Sequence, residues 1–398
     1  SQYTQLIARR IREAEVFCLV HPYNKITKEL LNEIKPSAFI LSGGPKSVLE
    51  KNSPKLNNNI LLMNKPILAI CYGMQLIAMN FKGSITHSKF REYGHTIINI
   101  KKKSQIFNGI KNKKIRVWMS HGDNINKIPN QFLTTSYSNN NIISSIENKK
   151  KKIYCLQFHP EVFHTSYGTT IIKNFIFKIA NIKFKFKIDE FIQNKILELK
   201  NKIRDKKIIC GLSGGVDSTV TAYLLARAIN KNLYCIFVDH GLLRRNESYE
   251  VEKIFKKKFG KNFIKIDASN LFLRKLKNIS NPEMKRKIIG KTFVEVFNKA
   301  AKNIYNVKFL GQGTLYPDVI ESIPFFGGPT AKIKSHHNVG GLPKKMKLKV
   351  IEPLRELFKD EVRNVGRQLK IDQNLLLRHP FPGPGLAIRI PGVIDKKK

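Results

Sequence analysis

Ser213-Gly-Gly-Val-Asp-Ser-Thr219 stands between a short β-branched run at residues 207–210 and an apolar segment of helical period at residues 220–229. Strand, glycine turn, helix is a layout that presents backbone N–H groups to an anion, because the first N–H groups of a helix have no intrahelical acceptor. Gly214 and Gly215 allow close backbone approach, and Ser213, Ser218 and Thr219 add hydroxyl donors. No lysine follows the glycines, which excludes the Gly-Lys-Ser/Thr loop that grips a γ-phosphate. Asp217 lies inside the cradle, where its carboxylate repels a phosphate unless Mg²⁺ stands between them.

A second pattern fills the first half of the chain. Residues 5–13 read as a helix, 16–20 as a strand, 27–34 as a helix and 38–41 as a strand running into Ser42-Gly-Gly-Pro45. Alternation of this kind predicts a parallel sheet with helices on both faces. Such a sheet begins with a strand, whereas this sequence leads directly into a helix, so an opening strand is expected to be missing. The absence of an initial Met likewise points to a fragment or a processed form.

Pro66-Ile-Leu-Ala-Ile70 is the next strand, and Cys71-Tyr-Gly-Met-Gln75 opens a helix. A thiol on a sharp strand-to-helix turn stands above the sheet, beside a helix N-terminus that stabilises a thiolate. Residues 153–158 form a strand that ends in His159-Pro-Glu161. Residues two apart on an extended segment face the same way, so His159 can take the thiol proton while Glu161 orients the ring. Gly43-Gly44 and the N–H of Tyr72 can serve a tetrahedral oxyanion. Ser120-His-Gly-Asp123 reads as a polar loop after the strand at 116–119, and His87, His95 and His164 read as surface or packing residues.

These motifs, in this order, resemble a class I glutamine amidotransferase, and the glycine loop resembles the PP-loop of the N-type ATP pyrophosphatases. The first resemblance implies Cys71 as nucleophile, His159 as base, Glu161 as orienter, and an oxyanion hole from Gly44 and Tyr72. It also implies that Gln75 and Ser120, His121, Gly122 and Asp123 hold the glutamine. The second implies an ATP site at Ser213, Gly214, Gly215, Val216, Asp217, Ser218 and Thr219, with adenine against the backbone of Val238 at the end of the strand 233–239, and with Mg²⁺ on Asp217.

Further stretches narrow the resemblance: Lys285-Arg-Lys-Ile-Ile-Gly290, Gly311-Gln-Gly-Thr314, Lys334-Ser-His-His-Asn338 and Arg378-His-Pro-Phe-Pro-Gly-Pro-Gly385. Together they are similar to the glutamine-hydrolysing GMP synthases. That family implies adenylation of xanthosine monophosphate (XMP) by ATP, then attack by ammonia to give GMP, AMP and pyrophosphate. Arg286, Asp318 and Glu321 are the XMP candidates, and 325–343, with glycine pairs flanking a basic stretch, reads as a lid. An amidotransferase-coupled ligase such as an NAD synthetase shares both cores but would lack the Gly-Gln-Gly-Thr and Ser-His-His-Asn segments.

The expected organisation is thus α/β, two doubly wound, mainly parallel-sheet domains in tandem. An amidotransferase domain covers 1–181, a linker 182–188 and an ATP pyrophosphatase domain 189–388. Residues 389–398 would begin a C-terminal dimerisation domain that the resemblance implies and this sequence lacks. Hydrophobic content of 42% and charged content of 25% fit a soluble globular chain. Five scattered cysteines, none in a Cys-x-x-Cys pair, point to a reducing compartment, the cytoplasm, and away from zinc. The net charge of +43 invites a nucleic-acid reading, but the lysines are spread along the whole chain together with many Asn and Ile. Compositional bias is therefore the reading adopted, with no nucleic-acid and no membrane partner expected.

Overall fold

The computed structural model describes residues 3–183, 185–322, 348–379 and 383–394. Its contacts divide the chain into two units, Ser1–Phe186 and Lys187–Lys398. The proposed lid at 325–343 lies outside the described residues, as does the side chain of Glu321.

The first unit contains α1 (Tyr3–Glu13), α2 (Lys28–Ile34), β1 (Phe39–Leu41), α3 (Asn58–Leu62), β2 (Ile67–Ile70), α4 (Tyr72–Asn80), β3 (Ser84–Ile100), β4 (Lys114–Lys127), β5 (Leu133–Ser138), β6 (Ile143–Asn148), β7 (Ile153–Leu156) and α5 (Gly168–Lys173). The sheet order is β1-β2-β7-β6-β5-β3-β4. β1, β2 and β7 run parallel, and β3 to β6 extend the sheet by antiparallel pairing. β2 and β7 are buried along their whole length. Leu68, Ile70 and Leu156 pack on one face, while Ile67, Ala69 and Cys155 pack on the other. That two-sided burial is why both strands read as unbroken apolar runs.

Two expectations need correction here. Residues 16–20 are not laddered into the sheet; Val16 is buried, but the Cys18 carbonyl is taken by the Arg12 guanidinium at 2.9 Å. Ser120–Asp123 is not a loop but part of β4, which continues to Lys127. Its polar side chains are buried because partners on β3 and elsewhere satisfy them, as described below.

The second unit contains α6 (Ile188–Ile203), β8 (Lys207–Leu212), α7 (Val216–Ile229), β9 (Leu233–Asp239), α8 (Glu247–Phe259), β10 (Phe263–Asp267), α9 (Ser269–Leu276), α10 (Pro282–Lys302), β11 (Val307–Gly311), α11 (Tyr316–Ser322), β12 (Lys349–Ile351), α12 (Lys359–Gln368) and α13 (Gln373–Leu376). All five strands are parallel, in the order β10-β9-β8-β11-β12. The strand order reverses between β8 and β11, so the crevice beyond their carboxyl ends is where ligands of such sheets sit.

One core of this unit joins Ile209, Ile236 and Leu310 from the sheet to Phe272, Leu276, Ile289 and Phe297 from α9 and α10. Phe272 is fully buried, whereas Tyr305 is 85% exposed. Phe272→Ala is expected to destabilise the second unit by about 3–5 kcal/mol, and Tyr305→Ala by less than about 0.5 kcal/mol. Guanidinium unfolding followed by circular dichroism compares the two; equal shifts would contradict this packing.

Candidate active site

Cys71 lies between β2 and α4 with φ 53° and ψ −110°, a conformation few non-glycine residues adopt. The turn is held from both sides. The Cys71 N–H donates to Leu156 O at 2.7 Å, which ties the end of β2 to the end of β7. Gly73 lies so close to β1 that a Cβ there would stand 2.5 Å from Leu41 O. The Cys71 Sγ donates to Ser120 O at 3.6 Å.

His159 follows β7 by three residues and is 2% exposed. Its backbone is fixed twice to β4: the N–H donates to Trp118 O, and the carbonyl accepts from Thr165 Oγ1, which itself accepts from the Trp118 N–H. His159 Nδ1 is 2.7 Å from Glu161 Oε1. Gly43 packs against both side chains, since a Cβ there would lie 3.1 Å from His159 Cε1 and 3.9 Å from Cys71 Sγ. Burial works against a charged imidazole, but hydrogen bonding and charge from Cys71 and Glu161 outweigh it and raise His159 from 6.5 to about 10. A buried imidazolium beside a sulfur is the arrangement that keeps a cysteine nucleophilic.

Around this trio, a Cβ on Gly44 would stand 3.4 Å from the Tyr72 ring, and the Tyr72 hydroxyl donates to Pro54 O. Gln75 and Asp123, expected to hold a substrate directly, are engaged with the protein. Gln75 Nε2 donates to Asp123 O at 3.0 Å and lies 3.4 Å from Gln157 Oε1. The Asp123 carboxylate accepts from Ser47 Oγ at 2.5 Å and meets His87 Nδ1 at 2.7 Å. His121 is buried between Glu92 Oε2 and Asp123 O, and Glu92 also accepts from Asn140 Nδ2. Gly122 sits in β4 between them. Ser47, Glu92, Gln157 and Thr165 were not singled out from sequence; their partners lie 29 to 82 residues away except for Thr165, six residues from His159. His87, read as a surface residue, is exposed, and its ring meets the Asp123 carboxylate from that side.

In the second unit, residues 213–219 turn from β8 into α7. Gly214 has φ 75°. Ser218 Oγ accepts from the Ser213 N–H at 3.2 Å and donates to Gly215 O, and the Gly215 N–H donates to Ser213 Oγ at 3.3 Å. Thr219 is fully buried and donates to Gly215 O at 2.7 Å, so its hydroxyl braces the turn rather than facing a ligand. Gly313, just after β11, presses on the loop: a Cβ would stand 2.9 Å from the Asp217 carbonyl carbon. Val216 and Val238 are buried, Val238 near the end of β9.

Asp217 meets a partner that sequence reasoning missed. Lys359 Nζ lies 2.6 Å from both carboxylate oxygens. It is the first residue of α12, where a cation opposes the helix dipole and is stabilised by a carboxylate. One lysine among 72 basic residues carries no visible signal in the sequence. For Mg²⁺, no group of three or more His, Cys, Asp or Glu is gathered among the described residues. Asp217 alone fits an ion that arrives coordinated to phosphates, since Mg²⁺ is commonly bound by one or two carboxylates plus the substrate.

Of the remaining candidates, Arg286 Nη1 pairs with Glu283 at 3.4 Å and Asp318 Oδ2 accepts from the Leu315 N–H. The adjacent Lys285 is fully buried and donates to the carbonyls of Ala387, Ile390 and Gly392. Burial lowers its pKa from the ordinary lysine range. Three carbonyl acceptors make it a clamp on residues 387–392.

Glu161→Gln removes the charge beside Nδ1. The His159 titration, followed by NMR on ring-labelled histidine, is expected to move down from about 10 by more than about one pH unit. Because the folded value lies above the ordinary 6.5, the pair's contribution to stability is complete below 6.5 and is lost as pH rises through about 10. An unmoved midpoint in the variant would show that Glu161 does not charge the ring.

The class I glutamine amidotransferase model matches residues 1–179, and the NAD synthase model matches residues 186–293. The chain is 51% identical to a glutamine-hydrolysing GMP synthase of Maridesulfovibrio salexigens, 50% to one of Brachyspira hyodysenteriae and 48% to one of Clostridium botulinum. In each case the match covers 100% of this chain and 77% of the relative. The NAD synthase match is confined to part of the second unit, whereas the GMP synthases match over the whole of this chain. The chain belongs to the glutamine-hydrolysing GMP synthase family, ligases that couple an amidotransferase to an ATP-using synthetase.

Proposed function

We propose that the two chemistries of this ligase are divided between the units, with glutamine hydrolysis at Cys71 and ATP-dependent activation of XMP at the 213–219 loop. The observation that carries the first half is the buried Cys71–His159–Glu161 arrangement, in which Glu161 and the sulfur together favour an imidazolium. In the reaction, the Cys71 sulfur attacks the glutamine amide carbon, and His159 delivers its proton to the leaving ammonia. The tetrahedral oxygen is stabilised by N–H groups at Gly44 and Tyr72. Water then cleaves the thioester, with His159 as base. Gln75 and the β4 residues Ser120, His121, Gly122 and Asp123 shape the glutamine pocket through the network around Asp123.

At the second site the backbone N–H groups of residues 214–218, at the N-terminus of α7, receive the ATP phosphates. Lys359 adds the cation that the loop itself lacks, and Asp217 is the residue that would hold Mg²⁺. The ion would offset phosphate charge when bound. Adenine lies along the end of β9 at Val238. Oxygen of the XMP base attacks the α-phosphorus and releases pyrophosphate; ammonia then displaces AMP to leave GMP. Arg286, Asp318 and Glu321 are proposed to contact XMP, with 325–343 as lid. The homodimer expected of the family, a cytoplasmic location and the absence of a nucleic-acid partner belong to the same proposal. No helix of the described residues is long and apolar enough to cross a membrane.

Cys71→Ala is expected to abolish GMP formation from glutamine while leaving formation from added ammonium salt within about twofold, because external ammonia bypasses the thiol. Equal loss with both nitrogen sources, by chromatographic assay of GMP, would refute the division of labour. Asp217→Asn is expected to reduce ATP cleavage by on the order of 10²-fold while glutamate release from glutamine persists. Pyrophosphate release at the native rate in that variant would exclude Asp217 as the metal-holding residue.

A further inference from the structure

The Gly214–Gly215 peptide joins the two residues of the phosphate loop that lack side chains. Neither residue has a Cβ, and Gly214 already lies in the left-handed region at φ 75°. A peptide between two glycines can turn over at small steric cost, exchanging its N–H for its carbonyl. In an anion cradle that exchange is damaging, since a carbonyl oxygen would face the phosphates.

An arginine from outside the loop contacts this peptide. Arg378 follows α13, 164 residues along the chain, and its Nη1 donates to Gly214 O at 3.4 Å. The guanidinium is itself oriented by α8: Nη2 lies 2.7 Å from Glu250 Oε2, and Nη1 lies 3.4 Å from the buried Glu247 Oε1. Glu247 is fixed in turn by the Arg244 N–H at 3.0 Å. A Cβ on Gly214 would lie 3.0 Å from Val251 Cγ2 and 3.3 Å from Arg378 Nη1, so the loop packs directly on this group. In a planar trans peptide the carbonyl and the following N–H point in opposite directions. With Gly214 O held toward Arg378, the Gly215 N–H points to the side where Ser213 Oγ and Ser218 Oγ meet at 3.0 Å.

We propose that Arg378 is a positioning residue for the ATP site: it holds the Gly214–Gly215 peptide with its N–H toward the phosphates, while Glu247 and Glu250 keep the guanidinium on the carbonyl side. The inference rests on reading 213–219 as the phosphate loop. It concerns the two phosphates that leave as pyrophosphate, so AMP recognition at the end of β9 and glutamine hydrolysis in the first unit are independent of it.

Calorimetric titration of the full chain with inorganic pyrophosphate plus Mg²⁺, and separately with AMP, tests it. Arg378→Gln is expected to weaken pyrophosphate about tenfold while AMP affinity and glutamate release from glutamine stay within about twofold. Arg378→Lys, which keeps a charged donor, is expected to recover most of the loss. Glu250→Gln frees the guanidinium and is expected to weaken pyrophosphate by about two- to threefold. Tighter pyrophosphate binding in Glu250→Gln would mean that Arg378 is a phosphate ligand in its own right and would overturn the proposal. So would unchanged pyrophosphate affinity in Arg378→Gln, or a parallel fall in AMP affinity with a lowered unfolding temperature. If Arg378→Gln does not fold, Glu250→Gln decides alone. A native chain that binds no pyrophosphate would instead overturn the phosphate-loop reading.

Discussion

The hydrogen bond from the Cys71 N–H to Leu156 O, at 2.7 Å, sets the first site. It joins the carboxyl ends of β2 and β7 one residue beyond the last parallel pair, Ile70 with Leu156. A thiol on one strand end and an imidazole three residues beyond the other are thereby registered by the sheet rather than by flexible loops. The strained backbone at Cys71 persists because this bond and the contact of Gly73 with Leu41 over-determine it. The second unit applies the same constraint to its glycine loop. Its loop leaves β8, and Gly313 presses on it from the end of β11, so two strand ends again define one turn.

Both sites also depend on charges that are already neutralised within the protein. Glu161 balances His159, and Asp217 holds Lys359 through both carboxylate oxygens. On the proposed reading of 213–219 as the ATP site, a bound phosphate would enter a preformed pair of opposite charges. The lysine is then positioned without side-chain reordering from solvent, which lowers the entropy lost on binding.

Much of the parallel framework was legible because its strands are buried on both faces. Residues 207–210 and 233–239 read as strands, and β8 and β9 occupy Lys207–Leu212 and Leu233–Asp239. The thiol turn and the His-Pro-Glu strand end were legible for the same reason, since each follows such a run. What could not be read depends on partners distant in sequence. The stretch Ser120–Asp123 resembles a loop because its side chains are polar, yet His121 is buried against Glu92 on the neighbouring strand. Residues 16–20 carry a strand-like pattern, but the burial of Val16 and the Arg12 contact do not amount to a ladder. Lys359 and Arg378 reach the phosphate loop from 142 and 164 residues away, and neither is distinguishable by composition from the other basic side chains.

The central claim is that nitrogen freed at one unit's strand ends is installed by chemistry at the other's. Mass spectrometry of GMP made from ATP, Mg²⁺, XMP and glutamine labelled with ¹⁵N in the side-chain amide tests this most directly. The account predicts GMP one mass unit heavier than the unlabelled nucleotide, with AMP and pyrophosphate formed in equal amounts. Glutamate and AMP produced without labelled GMP would contradict it.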